Sequence, residues 1–359
     1  MLSNSSELTL SVGEQVSPVT LTAEWPRIVR LLLLASLAAI GSIGNVFMIS
    51  AVMIDDYLRK RGNTFLVNIA LADLLVSGLV VPASAVVILA GLGDNVIVCR
   101  FQWFISVLCF LVTMLSLTSV AIENYFRLCN SDGCYQKLTP RSITMILLLF
   151  WAVCAITSGL QFADLSFDYC TRKKSGLIPY QATVAIVFVF LPLVLTFSCY
   201  VRTNFRVRVV KSRPSFKPNI TFSWDLALMR SNMYSFLLFV VFWLPFGVVL
   251  GVGTVQSVKN KLFYSLAWLA ISKSCVNSIF YCITNRHFRS AYVNLFHYCC
   301  CKTTVSFSRR QRPEGIRPSG DVRVHIIPGY NMYCSPQRCR EGQAKRCCGR
   351  TNGRDIYEL

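Results

Sequence analysis

Charge is what this chain has least of. Only 15% of its 359 residues are Asp, Glu, Lys or Arg, against roughly a quarter in a soluble domain. Acid is scarcer than base, at 17 Asp and Glu against 36 Lys and Arg. With 54% hydrophobic residues and a mean hydropathy of +0.51, this scarcity excludes an ordinary soluble fold. The start, Met1 to Glu24, lacks a basic stretch followed by a short apolar run, so no cleaved signal peptide is expected. Repeated halves and charges strung along a path are also missing, which argues against a channel or transporter. No nucleophile, base and orienting group recur at helical spacing on one face, so no enzyme activity and no cofactor are expected. The tail cysteines Cys334, Cys339, Cys347 and Cys348 match no common zinc spacing, so no metal is expected either.

The net charge of +19 would suit nucleic acid, but most basic residues fall in the loops and tail between apolar runs. Positive-inside bias explains them, and no nucleic-acid partner is expected.

What the chain does have is a series of long apolar runs. The run from Cys99 to Cys129 carries no charge between Phe101 and Ile122. The 25 steps from Cys99 to Asn124 make roughly 37 Å of helix, enough to cross a bilayer core of about 30 Å with some tilt. Six more spans are expected, near 28–53, 64–90, 143–160, 180–201, 226–252 and 262–283. The basic cluster Arg59, Lys60 and Arg61 belongs in the cytoplasm. The sequon Asn4-Ser5-Ser6 fits an outside, glycosylated N-terminus, and a second at Asn219 falls inside and is discounted. Pro82 predicts a kink in the second span. Asp73 in that span is an ionisable group in a bilayer core, which is costly and marks function.

After the last span, 285–298 alternates basic and aromatic residues and reads as an amphipathic helix on the lipid surface. Cys299, Cys300 and Cys301 follow as palmitoylation candidates. The expected organisation is an extracellular N-terminus (1–27), a seven-transmembrane helix bundle (28–284), a short amphipathic eighth helix with lipidated cysteines (285–301), and a disordered basic cytoplasmic tail (302–359). The fold class is all-α membrane protein in the plasma membrane. On this topology the outer face holds two cysteines, Cys99 and Cys170, and a pair in an oxidising compartment reads as a disulfide.

The chain from about Arg27 to Cys301 resembles the rhodopsin-like (class A) G-protein-coupled receptors. The resemblance rests on Asn45, the LADLL stretch with Asp73, Cys99 and Cys170, Trp151, Pro192 with Tyr200, FVVFWLP around Trp243 and Pro245, and NSIFY from Asn277 to Tyr281. Within the family, AIENYFRLCNS and the proline-free NSIFY lean towards the melatonin receptors and the invertebrate Moody and trapped-in-endoderm receptors. Membership implies an extracellular ligand, with a heterotrimeric G protein and arrestin as partners beside the membrane lipid. It carries over a ligand pocket of Ser106, Val107, Phe110, Phe188, Trp243, Phe246, Ala267 and Ile271. Ser106 and Ile271 stand where an amine receptor has its aspartate and an opsin its lysine, so neither ligand class is implied. So apolar a lining favours a neutral, lipophilic or aromatic ligand.

The resemblance also implies an activation switch in which Trp243 and Phe239 relay pocket occupancy to Pro245. The inner half of helix six then swings out, and Tyr200 and Tyr281 turn inward. Two departures stand out. The family's acid–Arg–Tyr triplet reads Glu123-Asn124-Tyr125, which leaves Asp225 facing an amide and Arg127 as a partial substitute. This predicts a loosely held closed state; the alternative is a receptor that couples weakly and acts through arrestin, adhesion or ligand capture. Lys273 lies where the family has a small polar residue beside a sodium ion, and the expectation is an ion pair with Asp73.

Overall fold

The computed structural model describes residues 16–55, 58–60, 62–129, 139–162, 168–172, 178–255 and 258–301. Asn4, Arg61 and the tail 302–359 with its four cysteines lie outside the described residues. Seven helices are long and apolar enough to span a bilayer: α1 (Arg27–Ile54), α2 (Asn63–Leu89), α3 (Val96–Cys129), α4 (Pro140–Leu160), α5 (Tyr180–Lys211), α6 (Ile220–Val255) and α7 (Asn260–Thr284). A shorter helix, α8 (Arg286–Cys301), follows α7 after one extended residue, Asn285.

α3 is the axis of the bundle. It packs against α2, α4, α5 and α6, and it is the most deeply buried span. α4 and α5 turn Leu148, Leu149, Phe190 and Phe197 outward, an apolar surface of the kind that suits lipid.

Prolines shape two of the helices in an unexpected way. A proline has no N–H to give, and its ring crowds the carbonyl four residues back. Immediately before Pro82, residues Val76–Val80 widen into a π-helical turn, and Ile186–Phe190 do the same before Pro192. α3 ties into both places: Gln102 Nε2 donates to the Val80 carbonyl at 2.9 Å, and Thr118 Oγ1 to that of Pro192 at 3.4 Å. α6 instead runs through Pro245 as α-helix.

α8 has the expected amphipathic form. Phe288, Ala291, Tyr292 and Leu295 are buried against α1 and α7, while Phe296 and Tyr298 stay exposed. Cys299, next on the helix, is exposed.

The N-terminal segment was expected only to lie outside the membrane; its described part is folded onto the bundle. Strands β1 (Val16–Ser17) and β2 (Leu21–Thr22) form an antiparallel hairpin. The Ser17 hydroxyl accepts from the Val19 and Thr20 amides and donates to Asp94. Trp268 of α7 donates to the Ser17 carbonyl at 3.0 Å, and Val19 is fully buried.

Candidate functional site

The outer half of the bundle is held by the Cys99–Cys170 disulfide, which pins the loop between α4 and α5 to the top of α3. One residue before the bond, Tyr169 points into the bundle. It stacks flat on Trp103 at 4.2 Å and meets Phe246, Phe263 and Tyr264 at 5.4–6.3 Å. The space expected for ligand is therefore largely filled by the chain itself. Among the expected pocket residues, Phe246 and Ala267 belong to this aromatic cluster. Val107 and Phe188 pack in a neighbouring cluster against α4. Ser106, Phe110, Trp243 and Ile271 line a deeper cavity of only about 10 Å3, with room for a single water. Ser106 Oγ is buried there and has no hydrogen-bond partner among the described residues.

The floor of that cavity is polar. Lys273 Nζ donates to both oxygens of Asp73, at 3.1 and 3.0 Å, with the two side chains 2% and 3% exposed. Asn277 Nδ2 donates to Asp73 Oδ2 at 3.0 Å, and its Oδ1 accepts from Ser235 of α6 at 2.9 Å. Asn45 Nδ2 reaches from α1 to the Ser274 carbonyl at 3.0 Å. The ammonium thus lies where its charge is both paired and hydrogen-bonded, the condition for burying it in an apolar bundle. It also stands 5.6 Å from the Phe239 ring, and Phe239 with Trp243 packs on Phe110 at 5.5 and 4.4 Å. One contact chain runs from Tyr169 through Phe246, Trp243 and Phe239 to the Lys273–Asp73 pair.

At the inner face the structure differs from the expected Asn124–Asp225 contact. Asn124 is fully buried, and its Oδ1 accepts from Arg127 at 2.6 Å. Arg127 also stands 3.6 Å from Glu123 and 3.9 Å from Asp225. Asp225 pairs chiefly with Lys60, from the loop after α1. An amide is too short and lacks the charge to reach across, so two cations, one a turn further along α3 and one from the loop, meet the acids instead. The loop comes this close because Gly62 has no side chain; a Cβ there would run into the Glu123 carboxylate. Tyr125 stands apart, its ring 5.9 Å from Phe126. Tyr281 donates to Asn232 of α6 at 3.0 Å, and Tyr200 packs on Phe236 of α6 at 6.0 Å.

Sequence reasoning missed Tyr169, Trp103, Lys60, Asn232 and Ser235. Asn232 and Ser235 carried a signal, since they are polar residues one turn apart within an expected membrane span. Lys60 did not, because a basic loop reads the same whether or not it makes a specific contact.

Residues 44–281 match the 7 transmembrane receptor (rhodopsin family) model. Among similar proteins, the human melatonin receptor type 1B is 29% identical over 71% of this chain and 74% of its own length. The zebrafish (Danio rerio) melatonin receptor type 1B-B is 28% identical over 80% and 86%, and the mouse (Mus musculus) melatonin receptor type 1A is 26% identical over 81% and 86%.

Proposed function

The chain belongs to the rhodopsin family of seven-transmembrane receptors, which are not enzymes, and we propose that it carries an extracellular ligand signal to a heterotrimeric G protein by outward movement of the inner half of α6. The observation that carries this reading is the inner-face cluster. Lys60, Glu123, Arg127 and Asp225 join the α1–α2 loop, α3 and α6 through largely buried charges. Such a cluster holds α6 in, and it must come apart before a partner can enter between the helices. Polar links from Asn277 to Ser235 and from Tyr281 to Asn232 offer a second set of contacts that rearrange with α6.

The ligand in this reading is neutral and lipophilic or aromatic. Phe110, Trp243, Phe246 and Ile271 would meet it once Tyr169 has moved aside, and Ser106 offers the unpaired hydroxyl for its polar atom. The names of its relatives make melatonin the first probe to try. Asn4 glycosylation, lipidation at Cys299, Cys300 and Cys301, an outside N-terminus and arrestin binding complete the proposal.

The second reading, a receptor acting mainly through arrestin or by capturing ligand, is favoured by one observation, Asn124 in place of the family's arginine. The test is to express the chain in cells and read several G-protein pathways and arrestin recruitment together, with and without melatonin. The first reading expects G-protein activation, basal or ligand-driven. Arrestin recruitment without activation of any G protein would replace it with the second.

A further inference from the structure

A second cavity, more roomy than the deep one, lies among the described residues. It lies at the outer mouth, measures about 240 Å3, and is walled by the hairpin at Ser17, the start of α3 at Asp94 and Asn95, the disulfide, Arg172, and the start of α7 at Asn260 and Tyr264. The aromatic cluster around Tyr169 separates it from the apolar core. The deep cavity has its two charges joined in one ion pair beneath aromatic rings, whereas here the charged side chains, Asp94 and Arg172, stand beside amides and hydroxyls.

Two charged side chains of opposite sign line it, and no ion pair joins them. Asp94 accepts from Ser17 through Oδ1, and among the described residues no hydrogen bond is made to its other oxygen. Arg172 is held on the opposing loop. Its Nη1 donates to the Val258 carbonyl at 2.9 Å and to Asn260 Oδ1 at 2.7 Å, and its guanidinium lies 4.5 Å from the Phe263 ring centre. Its backbone is left-handed, at φ 54°, a conformation costly for any residue but glycine and one that gathers at functional sites. The disulfide two residues earlier and the three side-chain contacts keep it there. The guanidinium is thus fixed before any ligand arrives, with planar donors besides Nη1 that suit a carboxylate.

We infer that this outer cavity binds a small zwitterion, an amino acid whose carboxylate meets Arg172 and whose ammonium meets Asp94. A simple anion would face Asp94, and a simple cation would face Arg172. Only a ligand carrying both charges leaves neither side chain opposed. The volume falls below the roughly 300–1,000 Å3 of sites for drug-sized ligands, which restricts the ligand to a small side chain or none. The site is separate from the one under the Tyr169 cluster and does not depend on G-protein coupling.

The test reads binding rather than signalling, so its failure is distinct from failure of the receptor reading. Purified full-length protein is melted with glycine, L-alanine, L-serine or γ-aminobutyrate, and with the N-acetyl and carboxamide form of each. At least one free amino acid should raise Tm by about 3 °C or more at saturation, and both blocked forms should lose that rise. Asp94→Asn should shift the preference to the N-acetyl anion, and Arg172→Gln to the carboxamide cation, a reversal that simple loss of structure would not produce. If either variant does not fold, the wild-type comparison decides alone. No rise with any of the four at millimolar concentration, or an equal rise with the blocked forms, overturns the proposal.

Discussion

Lys273 shows how one substitution changes what a buried position requires. Its ammonium is bonded twice to Asp73, and neither group reaches water. Asp73→Asn would strand that ammonium, so purified yield should collapse, a loss on the order of 3–5 kcal/mol. Asp73→Asn with Lys273→Met removes both charges and should recover much of the yield; failure of the double variant to improve on the single would refute the pairing. Because the ammonium fills the cation position, Tm in sodium chloride should equal Tm in choline chloride at the same ionic strength. At the surface, Asp168 behaves differently. Partial burial acts against its charge, but hydrogen bonds from Arg100, Thr171 and the Cys170 and Thr171 amides outweigh that and hold its carboxyl below the usual range. A carboxyl lowered on folding stabilises the fold above its ordinary value and loses that effect as pH falls through the lowered one. Asp168→Asn should therefore cost a few tenths of a kcal/mol at pH 7, and the gap from wild type should close in acid below the ordinary carboxyl value.

The element that most alters the sequence-based picture is the loop between α4 and α5. Its disulfide closes 71 residues of chain, about 4 kcal/mol by loop entropy. Cys99→Ala and Cys170→Ala should each abolish surface delivery or ligand response, and normal surface counts and response for both would remove the bond from the account. The bond also places Tyr169 on Trp103. Tyr169→Ala should lower Tm, because a buried aromatic leaves a void costing about 3–5 kcal/mol, and it should open the deep cavity to ligand. An unchanged Tm would show that the ring is not packed as described. The helices themselves were legible, because twenty or so apolar residues in a row leave few alternatives. The Lys273–Asp73 contact was expected from the family resemblance, which sets both positions around one pocket, together with the cost of leaving a buried charge unpaired. The plug and the hairpin were not. Short loops carry no periodicity, and what they bury is decided by where the helices leave space.

Over the whole molecule, the contacts are layered along the bundle axis. A polar mouth lies above an aromatic plug, which lies above the Lys273–Asp73 pair, and the ionic cluster closes the inner face. α6 takes part in the last three layers through Phe246, Phe239, Ser235 and Asp225. In the proposed function, this shared helix would be the route by which a change at the plug reaches the inner face. The sequence suggested a loosely held closed state, because the motif arginine was missing and Arg127 was its only visible substitute. Lys60 adds a second cation to Arg127, from a loop position that no motif marks. The central claim is that these cations hold a G-protein receptor closed. The most direct measurement is ligand-free nucleotide exchange on a purified heterotrimeric G protein, with the wild type compared with Lys60→Met and Asp225→Asn. Losing a partly buried pair worth about 1 kcal/mol should raise basal exchange roughly fivefold in both variants. Exchange that stays at the wild-type level in both, with the proteins folded, would contradict the account.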